Sequence, residues 1–197
     1  MKKHTARIFF IFCLITITTT AQEPNSVQPA KKWYCPQLAT TQFAGNIGLF
    51  SLGLGTQFFH GKLQTSLLYG YVPKSVGEVE IHTISIKNAF ILDHRSGFDV
   101  NFSSYIGHTF SFETGNNSFV KLPEKYPKGY YSSNAFHFTF FIGGKVHKDL
   151  NSTLIIHGID LFTEIGSVDT YLWYWLNSKE VHLPEIVSMA VGLNLYF

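Results

Sequence analysis

An all-β fold, a single antiparallel β-barrel of about eight strands, is what this chain predicts, and three observations predict it. First, the last nine residues alternate strictly: Met189, Val191, Leu193, Leu195 and Phe197 fall on one side, Ala190, Gly192, Asn194 and Tyr196 on the other. Second, the same period of two recurs from Gln42 onward in segments divided by turn residues, and no stretch has a convincing helical period. Third, charged residues make up only 14% of the chain, where a soluble domain carries about 25%. The 19 Phe and 10 Tyr add to that apolar bias. A strand face that is wholly apolar suits a surface turned toward lipid, so the expected barrel is a transmembrane one.

Residues 1–21 have the pattern of a secretory signal peptide. Lys2, Lys3 and Arg7 form the positive flank, 8–17 the apolar run, and 18–21 a small-residue exit before Gln22. The apolar run is well short of the roughly 20 residues that a spanning helix needs. Cys13 sits behind Ile11 and Phe12, where a lipidation cysteine would want small residues before it. Cleavage after Ala21 leaves 176 residues (197 − 21), a length for one domain. Cys35 is then the sole cysteine, which excludes an internal disulfide. The net charge of +2, without any basic run interleaved with aromatics, argues against a nucleic-acid partner.

Residues 22–41, with Pro24, Pro29 and Pro36, read as a periplasmic lead-in or linker, and 42–197 as the barrel. In 42–58, Phe50, Leu52, Leu54 and Phe58 oppose Ser51, Gly53, Gly55 and Gln57, and His60-Gly61 turns the chain. In 62–72, Leu63, Leu67, Tyr69 and Tyr71 oppose Gln64, Ser66 and Gly70. In 79–92, Ile84, Ile86, Phe90 and Leu92 oppose Thr83, Ser85 and Lys87. In 98–110, Phe98, Val100, Phe102 and Ile106 oppose Asp99, Asn101, Ser103 and Tyr105. The cleanest run is 133–146, where Phe136, Phe138, Phe140 and Ile142 oppose Ser133, Ala135, His137 and Thr139. Segments 152–165 and 168–176 are strand-like but less regular, and 185–197 closes the series.

Each good segment has about the 9–11 residues with which a tilted strand crosses the hydrocarbon layer. Aromatics at segment ends (Tyr69, Tyr71, Trp173, Trp175, Tyr196) fit interfacial girdles. Loop lengths add a constraint on sidedness, because periplasmic turns are short and outer loops long. The turns at 59–61, 93–97 and 147–151 are short, whereas 73–78 and 111–132 are longer. That makes 42–58 a descending run and calls for another strand before it, near 33–41, with 152–176 then one long ascending strand. The other arrangement keeps 42–58 as the first strand. Both give eight.

The alternating strand that ends on Phe197 resembles the C-terminal signal of bacterial outer-membrane barrels, and Thr20-Ala21-Gln22 resembles the end of Bacteroidetes signal peptides. Through these ends and the alternation across 42–197, the chain resembles small bacterial outer-membrane β-barrel proteins as a class. The resemblance implies a multi-pass barrel in a Gram-negative outer membrane after signal-peptide cleavage. It also implies membrane lipids and lipopolysaccharide as partners, and the barrel-assembly machinery during biogenesis. It names neither a ligand nor an oligomeric state.

An eight-stranded barrel is just wide enough for side chains to fill, so a general porin is not expected. The polar faces above (Gln57, Gln64, Ser66, Ser85, Lys87, Asp99, Asn101, Ser103, His137, Thr139 and Asn194) then form a hydrogen-bonded plug. The leading expectation is a structural or binding barrel. One alternative is a lipid A-modifying enzyme, an acyl hydrolase or acyltransferase. Ser132-Ser133-Asn134-Ala135 has a faint similarity to the lipid A 3-O-deacylase motif, but Tyr130 and Tyr131 stand where that family has its His. His137 lies about 13 Å along the strand from Ser133, out of reach, but a hydroxyl on a neighbouring strand, such as Ser103, is open to it. The other alternative is a soluble lipocalin-like barrel with its apolar residues inside.

The histidines show no His-x-His or His-Glu-x-x-His spacing, so neither a metal nor a cofactor is expected. Asp160, Glu164 and Asp169 read as a solvated extension at the outer rim. Loop 111–132 is the candidate for recognition: Lys121, Lys125 and Lys128 beside Tyr126, Tyr130 and Tyr131 suit lipopolysaccharide phosphates or a glycan.

Overall fold

The strands, in chain order, are β1 (Leu38–Ala44), β2 (Phe50–Phe58), β3 (Leu63–Val72), β4 (Ile81–Gly97), β5 (Val100–Gly115), β6 (Phe136–Asp149), β7 (Gly158–Val168) and β8 (Ser188–Tyr196). Each pairs antiparallel with the next, and β8 pairs with β1, so the sheet closes into a barrel. The computed structural model describes residues 35–115, 118, 120, 135–150, 155–178 and 180–197. The signal pattern of residues 1–21 and positions 22–34 lie outside the described residues.

The extra strand expected before residue 42, near 33–41, is in fact β1, which begins at Leu38 within the segment expected as lead-in and runs on into the expected run 42–58. The expected run 42–58 is therefore two strands, parted at 45–49 by a turn in which Ala44 and Gly45 take φ of 61° and 84°. Strand β7 ends at Val168. The segment 168–176, expected as strand, is mostly helix α2 (Asp169–Asn177). Its aromatics at 171, 173, 174 and 175 do not alternate, and Asp169 places a carboxylate in the first turn, where the helix dipole favours it. Two short helices, α1 (Lys74–Gly77) and α3 (Leu183–Ile186), sit in the connections before β4 and β8. All three correct the expectation of no helix.

The two longest connections, 116–135 and 169–187, share one end of the barrel. The opposite end carries the two chain ends of the sheet and the connections 59–62, 98–99 and 150–157. The first also carries 45–49 and 73–80. Asp99, expected in the interior, is at the tip of the β4–β5 hairpin with Phe98, at φ of 59° and 55°. A two-residue hairpin loop that follows the strand twist requires positive φ at both positions.

Sidedness follows the alternation. Phe50, Leu52, Phe140, Ile142 and Met189 face outward, at 53–66% exposure, and Phe136, Phe138 and Leu193 share that face. An apolar-inside barrel is excluded. Where polar groups interrupt the outer wall they satisfy one another: Thr65 Oγ1 donates to Asn88 Oδ1 at 2.8 Å, and Asn88 meets His108 Nε2 at 3.2 Å between the rings of Phe90 and Phe138.

The interior holds a small aromatic core of Ala89, Tyr105, Phe141 and Phe162. Large rings fit there because a facing strand supplies glycine. A Cβ at Gly107 would lie 2.4 Å from Phe141 Cζ, and one at Gly192 would lie 2.3 Å from Phe162 Cζ and 2.4 Å from the Thr41 carbonyl. Gly192→Val is therefore expected to lower the unfolding free energy by about 1–3 kcal/mol through overpacking. Urea titration of the folded barrel in detergent measures it, and an unchanged midpoint would contradict the packing described.

Candidate functional site

Inward-facing polar residues form three levels. At the end with the long connections, Ser85 and Ser111 share a 2.8 Å hydrogen bond, Ser167 donates to the Ile186 carbonyl at 2.7 Å, and Ile47 and Ile186 are buried. His137 lies here, 3.5 Å from Glu113, which accepts a 2.7 Å hydrogen bond from Ser118. The carboxylate stands between imidazole and hydroxyl, the wrong order for activating a serine.

At mid-height, Lys87 and Glu164 reach across the lumen to form an ion pair of 2.6 Å. Lys87 also donates to Gln42 at 2.8 Å, and Tyr105 donates to Glu164 at 2.9 Å. The ammonium lies 5.1 and 4.8 Å from the ring centroids of Phe141 and Phe162, so the residual charge faces aromatic π density. Two cavities of about 20 Å³ flank this level, each room for about one water molecule. Thr139 Oγ1 and Asn194 Oδ1, buried without a partner among the described residues, each border one of them. The lumen is filled at this level.

Toward the chain ends the pairing centres on Asp160, which is fully buried. Its carboxylate accepts hydrogen bonds from Lys145 at 3.0 Å, Tyr196 at 2.5 Å and Asn194 at 3.1 Å, and meets His147 Nδ1 at 2.5 Å. Asp160 and Glu164 are thus the anions of the interior rather than a solvated extension. Asp169 alone of the three is exposed, on α2. Tyr196, expected in a girdle, points inward for the same reason.

Below Asp160 the barrel opens into a vestibule of about 570 Å³, with Ser103, Lys145, Ile91, His94, His147 and Tyr196 among its lining. His60 and His157 stand at its edge, so histidines scattered in sequence converge at one mouth. No group of three or more metal-ligating side chains is placed to hold an ion among the described residues. A β-bulge shapes one wall. Ile91 pairs with Tyr105 and Asp93 with Ser104, so Leu92 has no partner and the parity of β4 flips. His94 consequently turns inward, opposite Ser103, and its Nδ1 lies 3.0 Å from Ser103 Oγ. On the other side of Ser103, β6 places Lys145 at the paired position. The row His94, Ser103, Lys145 crosses three adjacent strands.

Of the residues expected inside, Ser66, Ser85, Lys87, Ser103, Thr139 and Asn194 are buried, and Gln64 is half-buried beside Lys145. Ser103 does meet a histidine, but His94 rather than His137. Residues 93–97, expected as a turn, are the end of β4, and the bulge that sets their parity leaves no mark in the period. The recognition residues Lys121, Lys125, Tyr126, Lys128, Tyr130 and Tyr131, and the Ser132–Ser133 pair, lie outside the described residues. Comparisons with protein-family models, curated proteins and solved structures found no match.

The mid-height pair yields a sharp test. Lys87→Met strands the buried Glu164 carboxylate and is expected to cost about 3–5 kcal/mol, whereas Lys87→Met with Glu164→Leu recovers most of that loss. Urea unfolding of the wild type and the two variants measures it. Equal losses in the single and double variants would contradict the pairing.

Proposed function

We propose that this chain is an integral outer-membrane β-barrel of structural or binding type that does not conduct. The observation that carries the reading is the apolar outer wall around an ion-paired, filled interior. In water such a wall would far exceed the few hundred Å² of contiguous apolar surface that a monomer tolerates. In a bilayer it is the surface that lipid requires, and strand closure leaves no backbone edge unpaired.

Aromatic placement supports the same reading. Tyr171, Trp173, Tyr174 and Trp175 of α2 are exposed at the end with the long connections, where Tyr69 and Tyr71 also face outward. Rings with one polar edge favour the headgroup level. Tyr71 donates to Glu80 at 2.8 Å and Tyr69 meets His82 at 2.5 Å, which adds polar contacts at that height. The long connections then face outward from the cell, and the loop with Lys121, Lys125 and Lys128 is the proposed contact for lipopolysaccharide.

Expressed with its leader in a Gram-negative host, the chain is expected in the outer-membrane fraction, with a folded gel band that shifts on boiling. In planar bilayers it is expected to give no open-channel steps. Recovery as a soluble protein would contradict the membrane reading, and steady ion conductance would contradict the closed lumen. Replacing Lys121, Lys125 and Lys128 together by Ala is expected to weaken lipopolysaccharide binding about 100-fold, since each lysine near an anionic surface contributes about 1 kcal/mol.

A further inference from the structure

The vestibule holds a hydroxyl and an imidazole arranged for more than plugging a barrel. Ser103 Oγ and His94 Nδ1 are 3.0 Å apart, within the range from which a general base takes a proton. The imidazole reaches that position through the bulge at Leu92, a distortion of the kind found beside active sites. Lys145, paired with Ser103 across β6, brings a positive charge to the same row, and Asp160 and Tyr196 hold its ammonium in place at 3.0 and 3.1 Å. The opening of about 570 Å³ is the size of a small-molecule site. The filled mid-height level closes its inner end, so a ligand enters and leaves by the same mouth.

We propose that Ser103 and His94 form a nucleophile–base pair for hydrolysing short-chain carboxylic esters that enter from the end of the barrel bearing the chain ends. Ser103 Oγ adds to the ester carbonyl carbon as His94 Nδ1 takes its proton. The carbon–oxygen bond to the alcohol breaks, and His94 returns that proton to the leaving oxygen. Water then attacks the acyl-serine, giving its proton to His94, and the acid departs as Ser103 regains a proton. Lys145, whose ammonium is paired with Asp160 at 3.0 Å, lines the same vestibule. The substrate class follows from the lining: among the described residues Ile91 is the one large aliphatic side chain in it, which favours a short acyl group over a long one. This separates the site from lipid A chemistry, and it does not depend on the membrane reading.

An alkyl fluorophosphonate, which bonds covalently to activated serines, tests the proposal on the full-length folded barrel in detergent. The expected result is one adduct, mapped to Ser103 by peptide mass spectrometry and absent from Ser103→Ala. In His94→Gln, whose exposed position spares the fold, labelling and p-nitrophenyl acetate hydrolysis are expected to slow about 100-fold, the lower end for losing a general base. Heat-modifiable gel mobility verifies that each variant is folded. No adduct at Ser103 in the folded wild type would overturn the proposal. So would an adduct that forms equally fast in His94→Gln, because Ser103 would then be accessible but not activated.

Discussion

Closing a sheet on itself creates an enclosed space in which every polar group must find a partner. The rest of the structure depends on that constraint. Lys87 and Lys145 are tolerable inside because each has a carboxylate partner: Glu164 reaches Lys87 across the lumen, and Asp160 meets Lys145 from the adjacent strand β7. Removing one partner leaves a buried charge. The alternation that delivers these groups inward necessarily delivers Leu, Ile and Phe outward, so the filled interior and the apolar wall are two consequences of one pattern.

Much of this was legible in the sequence because the strand period is two and a single parity sets both faces. Phe136 to Ile142 and Met189 to Leu195 needed no more than counting. Loop lengths also called for an extra strand before residue 42, which β1 supplies a few residues later than expected, at 38–44, because the proline-bordered approach reads as a linker. Three things were hidden, each for a physical reason. The bulge at Leu92 breaks the period, so 93–97 read as a turn although β4 continues to Gly97. The cross-lumen partners Lys87 and Glu164 are 77 residues apart, and a period says nothing about which strands face each other. Asp160 and Glu164 stand near an aromatic segment that becomes helix, which made their own strand look irregular. The rings of Phe141 and Phe162 had a readable sign in the glycines Gly107 and Gly192, but only the register assigns each ring to its glycine.

The two ends of the barrel differ. At one, Ile47 and Ile186 are tucked in beneath longer connections and the hydroxyls of Ser85, Ser111 and Ser167 are consumed by short hydrogen bonds. At the other, His60, His94, His147 and His157 line the vestibule. The polar network serves two roles: the level near Asp160 fixes the fold, and the row from His94 to Lys145 lines the vestibule with its side chains already held.

We propose that the apolar face meets acyl chains while the polar face encloses the lumen. Methyl-resolved NMR of the barrel in lipid nanodiscs tests it most directly, through cross-relaxation between side-chain methyls and lipid acyl protons. Leu52, Ile142 and Leu193 are expected to show strong cross-peaks to the acyl chains, and the buried Leu68 none. Cross-peaks to Leu68 with none to the other three would turn the barrel inside out and contradict the account.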